Sequence, residues 1–188
     1  MPMPEITMRD RILDAAEVRA RCGGYNAFSF RELAQDVGVK SSSIHYHFST
    51  KPSLAEALAH RYTDRARDYL GDAEALSADE ACARVTSLFR NALIKDDRMC
   101  LCGMFGAERD ALPPAVDTAV ASFFRLILDY LHKAFGDEAQ GETPETILAR
   151  LEGALIVARS LRDETVFEAA IPAAGGHSAT PGIQALNR

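Results

Sequence analysis

The sequence predicts an all-α fold, and three observations support this prediction. Helix-forming residues, chiefly Ala, Leu, Arg and Glu, recur along the whole chain, whereas alternating β-branched residues are scarce. Apolar residues repeat at the three- and four-residue spacing of one helix face. Glycine and proline interrupt this pattern at a few places, such as Gly23-Gly24 and Pro113-Pro114, where helices are expected to end or begin.

These start and stop signals divide the chain into eight predicted helices. They span approximately residues 7–22, 30–37, 41–48, 52–70, 78–95, 99–111, 114–135 and 144–162. The last stretch, residues 172–188, is rich in Gly, Pro and small residues and is predicted to be a flexible tail. No internal repeat is present.

Composition and charge narrow the class of protein. The 188 residues carry a net charge of −6, yet the first 67 contain ten Lys/Arg against eight Asp/Glu, so the positive charge is concentrated at the N-terminal end. No apolar run is long enough to span a membrane and no signal peptide is recognisable, which predicts a cytoplasmic protein with no membrane partner. The four cysteines are expected to remain free thiols.

The stretch "FSFRELAQDVGV" carries explicit signals for a short helix followed by a tight turn. Ser29 and Glu32 stand in the S-x-x-E order of a capping box. Phe28 and Leu33 occupy the two positions of a hydrophobic staple around that cap. Gly38 suits the left-handed residue that ends a helix, and a second helix can begin two residues later. Two short helices joined by a glycine turn form a helix-turn-helix unit.

The second helix, within "VKSSSIHYHF", separates into an apolar and a polar side. At 100° per residue, Ile44 and Phe48 lie close together and are expected to pack inward. Ser42 and Tyr46 fall on the opposite side. His45 and His47 are two residues apart and therefore cannot chelate one metal from a helix, and no acidic residue nearby completes a catalytic triad. The pattern favours a surface that reads a macromolecular groove over a catalytic or metal site.

The segments "RILDAA", "GGYNAFSFRELAQDVGV" and "SSSIHYHFSTKPSL" resemble the DNA-binding domain of TetR-type transcriptional regulators, from about Arg11 to Tyr62. The resemblance implies a three-helix DNA-binding domain over residues 1–50, with the helix-turn-helix at 29–48. It also implies a helical effector-binding and dimerisation domain over residues 51–171. Lys40 stands where a capping serine is usual, and Ser42 where glycine is common, so the base preference of relatives does not transfer.

The implied partner is double-stranded operator DNA, bound by a homodimer on a near-palindromic site. Tyr46 is the main candidate for a base or sugar contact, and the serine hydroxyls and the flanking cations are candidates for phosphates and base edges. The predicted DNA-binding residues are Arg31, Lys40, Ser41, Ser42, Ser43, His45, Tyr46, His47 and Lys51.

Dimerisation is assigned to the last long helix, in "TPETILARLEGALIVARSL", because the resemblance implies that late helices form the dimer bundle. Its apolar face and its small residues suit close helix packing. The predicted interface residues are Ile147, Leu148, Leu151, Gly153, Ala154, Leu155, Ala158 and Leu161. Burial of this face inside one subunit is the alternative.

The resemblance also implies an unidentified small-molecule effector that releases a repressor from its operator. Methionine and aromatic residues around "MCLCGMFGAERD" and in the following helix are candidates for an adaptable apolar pocket, although such residues at helical spacing more often belong to an ordinary core. The predicted ligand-binding residues are Met99, Cys100, Met104, Phe105, Glu108, Phe123, Phe124 and Ile127.

Two alternatives to a ligand-released repressor remain at this point. Cys100 lies near Arg98, which would favour a thiolate and hence a regulator that senses thiols or electrophiles. A small all-helical enzyme is the other alternative. The sequence contains no H-E-x-x-H, no Gly-rich phosphate loop and no G-x-S-x-G, and neither a cofactor nor a metal is expected.

Overall fold

The computed structural model of the chain describes residues 6–136 and 142–171. Every regular element in these two ranges is helical. The α-helices are α1 (Met8–Gly23), α2 (Phe30–Val37), α3 (Ser41–His47), α4 (Lys51–Leu70), α5 (Ala78–Ile94), α6 (Leu101–Ala107), α7 (Pro114–Phe135), α8 (Pro144–Leu161) and α9 (Thr165–Ala169). Short 3-10 turns follow α1 and α6, at Tyr25–Ala27 and Arg109–Ala111. The all-α prediction is confirmed, and the predicted tail over 172–188 lies outside the described residues.

Seven of the eight predicted helices begin and end within one residue of their expected positions. The exception is the segment expected over 99–111, which contains the shorter α6. Cys100 caps α6, because its sulfur accepts the Gly103 N–H at 3.4 Å, and Glu108 ends it. The sequence analysis missed α9, which is a single helical turn too short to show a period.

Side chains and glycines fix the helix ends near the N-terminus. Thr7 caps α1, and Thr50 caps α4, each by accepting a backbone N–H three residues later. Gly38 ends α2 with φ 76° and ψ 38°, the left-handed conformation expected there. Gly38 therefore separates α2 from α3 by a tight turn, and the helix-turn-helix unit forms as predicted.

The first three helices bury one shared apolar cluster. Ile12 and Leu13 of α1, Leu33 of α2 and Ile44 of α3 are fully buried. Phe28 and Leu33, the predicted staple pair, are both buried, as a hydrophobic staple requires. The N-terminal unit is thus a three-helix domain with α3 at its surface.

The C-terminal helices pack around a second part of the same core. The most extensive helix contact joins α4 to α7, and α5 packs against both α7 and α8. Phe89, Phe105, Phe123 and Phe167 are among the largest fully buried side chains. Because α4 also contacts α1, it connects the N-terminal domain to this helical domain.

Glu17 of α1 is buried at the junction of the two domains, and three arginines surround it. Arg21 and Arg61 each approach its carboxylate at 3.4 Å, and Arg65 also pairs with it. Arg21 pairs in addition with Asp96, at 2.7 Å, in the loop before α6. Buried charges persist only when they are paired. This network fastens α1 to α4 where an apolar contact would otherwise be expected.

Candidate nucleic-acid interface

The interface begins with the cap that fixes α2. The Glu32 N–H donates to Ser29 Oγ at 3.3 Å, and the Ser29 hydroxyl donates to Glu32 Oε2 at 2.7 Å. The Glu32 carboxylate therefore bonds the Ser29 hydroxyl, where the expected capping box places the Ser29 backbone amide. Arg19 of α1 pairs with Glu32 and with Asp36. Both ends of α2 are thus tied to α1, which holds the helix that supports α3.

The two faces of α3 are disposed as the helical wheel predicts. Ile44 is fully buried and Phe48 is buried at the C-cap, so both anchor the helix in the domain core. Ser42 is exposed, and Tyr46 is 87% exposed. An exposed tyrosine beside exposed hydroxyls on a braced helix suits contact with a polar, grooved surface.

Six of the nine predicted DNA-binding residues are exposed, and the other three are half-buried. The exposed residues are Arg31, Lys40, Ser41, Ser42, His45 and Tyr46, and the half-buried residues are Ser43, His47 and Lys51. Two of the rings have neighbours on the surface. His45 packs edge-on against Phe30 with centroids 4.7 Å apart, and the rings of Tyr46 and His47 lie 5.2 Å apart. These contacts limit the rotation of both histidines.

The start of α3 has no side-chain cap. Lys40 is the N-cap residue and makes no side-chain cap bond, and Ser41 is the first residue of the helix. A lysine has no acceptor to offer the first amides. Ser41 is exposed to solvent.

Lys51 has a role that sequence reasoning did not anticipate. Its ammonium lies 4.4 Å from the ring centre of Tyr25 and 5.0 Å from that of Phe28. Partial burial lowers the pKa of Lys51, and Glu32 and Glu108 act in the opposite direction. Lys51 thus braces the start of α4 by cation–π contact, and a phosphate contact would require it to turn away from these rings.

Two arginines of α1 adjoin the helix-turn-helix and were not among the predicted residues. Arg9 is exposed, and its guanidinium lies 5.1 Å from the ring centre of Phe48, at the end of α3. Arg11 donates to the Val37 carbonyl at 2.9 Å, next to the turn. The sequence shows both as polar positions of α1, but only the tertiary packing brings Arg9 beside α3.

The predicted ligand-binding residues divide into core and junction positions. Cys100, Phe105, Phe123 and Ile127 are buried, and Met99, Met104, Glu108 and Phe124 are half-buried. Glu108 accepts the Tyr25 N–H at 2.9 Å, and the Met99 carbonyl accepts from Arg21 Nε at 2.7 Å. These two bonds join α6 and the loop before it to the N-terminal domain, so Glu108 has a structural partner that sequence reasoning did not foresee.

The environment of Cys100 disfavours a reactive thiolate. Desolvation raises the pKa of Cys100 well above its ordinary value, and the nearby Glu152 carboxylate raises it further. Burial likewise raises the pKa of Cys102. The expectation that Arg98 would favour a thiolate at Cys100 is therefore wrong in direction, because burial and the negative Glu152 dominate.

The predicted dimer residues require a correction. Six of the eight are buried within the subunit, where a partner cannot reach them, namely Ile147, Leu148, Leu151, Ala154, Leu155 and Ala158. Gly153 is half-buried and Leu161 is exposed. The exposed large apolar residues of α8 are Ile156, Val157 and Leu161, which lie on the outward side of the helix. The broad apolar stripe is therefore the face that packs inside the subunit. The sequence alone could not show this, because burial inside one subunit and burial in an interface produce the same period of apolar residues.

Comparison with known proteins agrees with this architecture. Residues 12–58 match the family described as "Bacterial regulatory proteins, tetR family". The structure of a TetR transcriptional regulator from Legionella pneumophila is 31% identical in sequence, with a TM-score of 0.76, and the match covers 89% of this chain and 95% of that one. A TetR-family transcriptional regulator from Agrobacterium tumefaciens is 26% identical, with a TM-score of 0.77, over 86% of this chain and 92% of that one.

No curated protein matches the chain significantly in sequence. Within residues 6–136 and 142–171, none of the helices combines the length and apolarity needed to cross a bilayer. The Legionella structure nevertheless exceeds the similarity that fold alone would explain, and it extends over both domains. With the matched helix-turn-helix and its exposed α3, this similarity shows that the chain belongs to the TetR family of DNA-binding transcriptional regulators.

Proposed function

We propose that the chain is a repressor that binds a near-palindromic operator as a homodimer and leaves it when a small molecule binds the C-terminal domain. The observation that carries the proposal is the disposition of α3. Its apolar side, with Ile44, is anchored in the core, and its opposite side presents Ser42 and Tyr46 to solvent. A short helix anchored in this way can enter the major groove of duplex DNA.

In the proposed complex, Tyr46 contacts a base or sugar, and its ring can reach a thymine methyl. Ser42 and Ser43 approach base edges, whereas Arg31, Lys40 and Ser41 meet phosphates. We add Arg9 to the phosphate contacts, because its exposed guanidinium adjoins the end of α3. His45, His47 and Lys51 have the weaker claims, since each already packs against an aromatic ring.

A dimer follows from the small number of cations beside α3. One protomer offers Arg9, Arg31 and Lys40 as exposed cations close to the helix-turn-helix, and the exposed Arg11 beside them already donates to the Val37 carbonyl. Because each phosphate contact contributes a salt-dependent part of the affinity, so few contacts hold DNA weakly. Two protomers related by a twofold axis double this number. We place the interface on the outward side of α8, where Ile156, Val157 and Leu161 are exposed.

The division of the chain is part of this proposal. Residues 1–50 form the DNA-binding domain, and residues 51–171 form the effector-binding and dimerisation domain. The second begins with α4, which contacts both α1 and α7. We place the effector site at α6 and α7, beside Cys100, Phe105 and Phe123. An effector that binds better to the conformation with misplaced α3 helices lowers operator affinity by that difference in binding alone.

Tyr46→Ala tests the proposal, because Tyr46 is exposed and its removal leaves the core intact. A single base contact is typically worth about 1–3 kcal/mol, so binding to operator DNA should weaken by about tenfold or more. Binding to unrelated DNA should change little. A mobility-shift titration with DNA from beside the gene, over a range of salt, measures both. Tyr46→Phe serves as the matched variant, since it keeps the ring and removes only the hydroxyl. Equal binding of Tyr46→Ala and wild type to the operator would remove Tyr46 from the interface.

A further inference from the structure

Glu152 is a buried carboxylate in the C-terminal domain without an identified cationic partner. It lies on α8 beside α6. Both carboxylate oxygens are inaccessible to solvent and accept no hydrogen bond from any nitrogen or oxygen of the described residues. A methyl group built on Gly103 would approach Glu152 Oε2 to 2.6 Å, so the carboxylate occupies the space that a side chain at position 103 would need.

Glu17 provides a comparison within the same chain. It is also buried, but Arg21, Arg61 and Arg65 surround it. Burial raises the pKa of Glu152 to about 7, and among the described residues only a hydrogen bond from the Cys100 thiol acts in the opposite direction. An unpaired buried carboxylate destabilises a fold, and such a group in a native structure calls for an explanation. Packing gives no reason for Glu152, since Gln would fill the same space.

Two neutral thiols adjoin Glu152, and aromatic rings continue from the thiols. Burial raises the pKa of both Cys100 and Cys102, and the negative charge of Glu152 raises both further. Tyr62 of α4 interacts with both thiols, and its ring centre lies 5.3 Å from that of Phe123 on α7. Within the described residues, no group of three or more His, Cys, Asp or Glu side chains is arranged to hold a metal ion. An apolar body with one positive charge suits this environment better than a metal ion does.

A surface groove of about 230 Å³ is formed by α1, α4 and α5, and Tyr62 is part of its lining whereas Glu152 is not. Tyr62, Leu88 and Ala92 form an apolar part of its lining, and Arg21 and Asp96 lie at its polar part. Tyr62 connects the groove with the thiols, because it lines the groove and also interacts with Cys100. The volume admits a compact ligand only.

We propose that Glu152 is the recognition group for the effector, and that the effector is a compact organic cation, such as an amine with an apolar body. This inference rests on the proposed function, since it assigns the chemistry of the effector. The cation supplies the partner that Glu152 lacks, and the rings of Tyr62 and Phe123 accommodate its apolar part and attract its charge.

The position of the site relates binding to the DNA-binding domain. Cys100, beside Glu152, directly follows Met99, whose carbonyl accepts from Arg21 of α1 at 2.7 Å. Glu108, at the end of α6, accepts the Tyr25 N–H. A ligand that displaces α6 would therefore disturb both bonds that join α6 to the N-terminal domain. An effector that displaces α6 in this way would bind one conformation better than the other, and this difference in binding is what shifts the equilibrium between the two conformations.

The test compares three probes of similar shape, 4-phenylbutylamine, 4-phenylbutanol and 4-phenylbutanoate, on the full chain at about pH 8, where the amine is protonated and most Glu152 is ionised. Titration calorimetry should show binding of the amine to wild type and weaker binding of the other two. Glu152→Gln should weaken amine binding at least tenfold. Glu145→Gln is the matched control, because it removes an exposed carboxylate from the same helix. It should bind the amine as wild type does.

Any of three results would overturn the inference. They are equal binding of the alcohol or the carboxylate, retained amine binding in Glu152→Gln, and no amine binding by wild type at millimolar concentration. The same samples are then tested for release of operator DNA. Amine binding through Glu152 without release would contradict the proposed effector response and leave the cation site intact. Normal operator binding without an amine site would contradict only this inference.

Discussion

At the scale of single residues, exposure on α3 was predictable and the environment of Glu152 was not. The wheel places Tyr46 opposite Ile44, and a short helix on a core has only one side to bury. Glu152 lies between Leu151 and Gly153 in the sequence, where an acidic residue normally faces solvent. Its burial depends on Gly103, some fifty residues earlier, and no local pattern reports such a pairing.

The pKa of Glu152 leads to a prediction for stability against pH. Burial raises the pKa from 4.5 to about 7, so the folded chain binds the proton more tightly than the unfolded chain does. Ionisation of Glu152 lowers the free energy of unfolding. This loss is absent below pH 4.5, grows as the pH rises towards 7, and reaches its full size above pH 7. The shift corresponds to about 3 kcal/mol, as an order of magnitude.

Glu152→Gln should therefore be more stable than wild type at pH 8 and close to wild type at pH 5. Denaturant unfolding of the ligand-free chain at the two pH values measures the difference. Glu145→Gln should show no such gain at pH 8, because that carboxylate is exposed and its pKa is lowered, chiefly by a backbone hydrogen bond. A pH-independent difference between Glu152→Gln and wild type would contradict the assignment of a raised pKa.

At the scale of elements, the helix bounds were predictable where a cap or a glycine marks them. The ends of α2 follow from Ser29 and Gly38, and those of α4 from Thr50 and Gly71. The bounds of α6 were not predictable, because its N-cap is a cysteine and its C-terminal end is set by contact with another domain. Glu108 and Tyr25 are distant in sequence, so their bond gives no local signal.

Gly24 and Gly136 offer a matched test of the contact between α6 and the end of α1. Their backbones are nearly alike, with φ 77° and ψ −165° at Gly24 and φ 60° and ψ −163° at Gly136. Ala strains either position by about 1–3 kcal/mol, since this conformation belongs almost only to glycine. A methyl group at Gly24 would also lie 1.9 Å from Glu108 Oε1, whereas one at Gly136 meets no atom of the described residues within 4 Å.

Gly24→Ala should thus lower the free energy of unfolding clearly more than Gly136→Ala, by about 1–3 kcal/mol for the displaced Glu108 and the lost Tyr25 bond. Denaturant titration of both variants measures the difference. Adding Glu108→Ala to Gly24→Ala should remove the clash and narrow the gap to Gly136→Ala. Equal losses in the two single variants would show that Glu108 moves aside without cost.

At the scale of the whole molecule, the two-domain, all-helical architecture was predictable, and the arrangement of a second copy was not. A single sequence reports that α8 has an apolar face, but not whether that face meets its own subunit or a partner. The six buried residues of that face, Leu151 and Leu155 among them, show that packing within the subunit accounts for it. The outward residues Ile156 and Val157 interrupt the stripe and carry no periodic signal of their own.

Ile156→Lys tests the proposed dimer surface. Ile156 is 51% exposed, so a lysine there should leave the subunit folded, but paired lysines across a twofold interface would repel each other and remain partly desolvated. Sedimentation at micromolar concentration should show a monomer. Ile94→Lys is the matched control, an isoleucine 46% exposed on α5, and should remain dimeric. A dimeric Ile156→Lys would place the interface elsewhere.

Selection of bound sequences from random duplex DNA tests the central claim, that the outward side of α3 reads DNA from two protomers related by a twofold axis. The account predicts enrichment of a near-palindrome whose half-sites are separated by about one helical turn, roughly 34 Å or somewhat more. Tyr46→Ala should lose that enrichment while retaining salt-dependent binding. Recovery of no preferred sequence, or of a single unrepeated half-site, would contradict it.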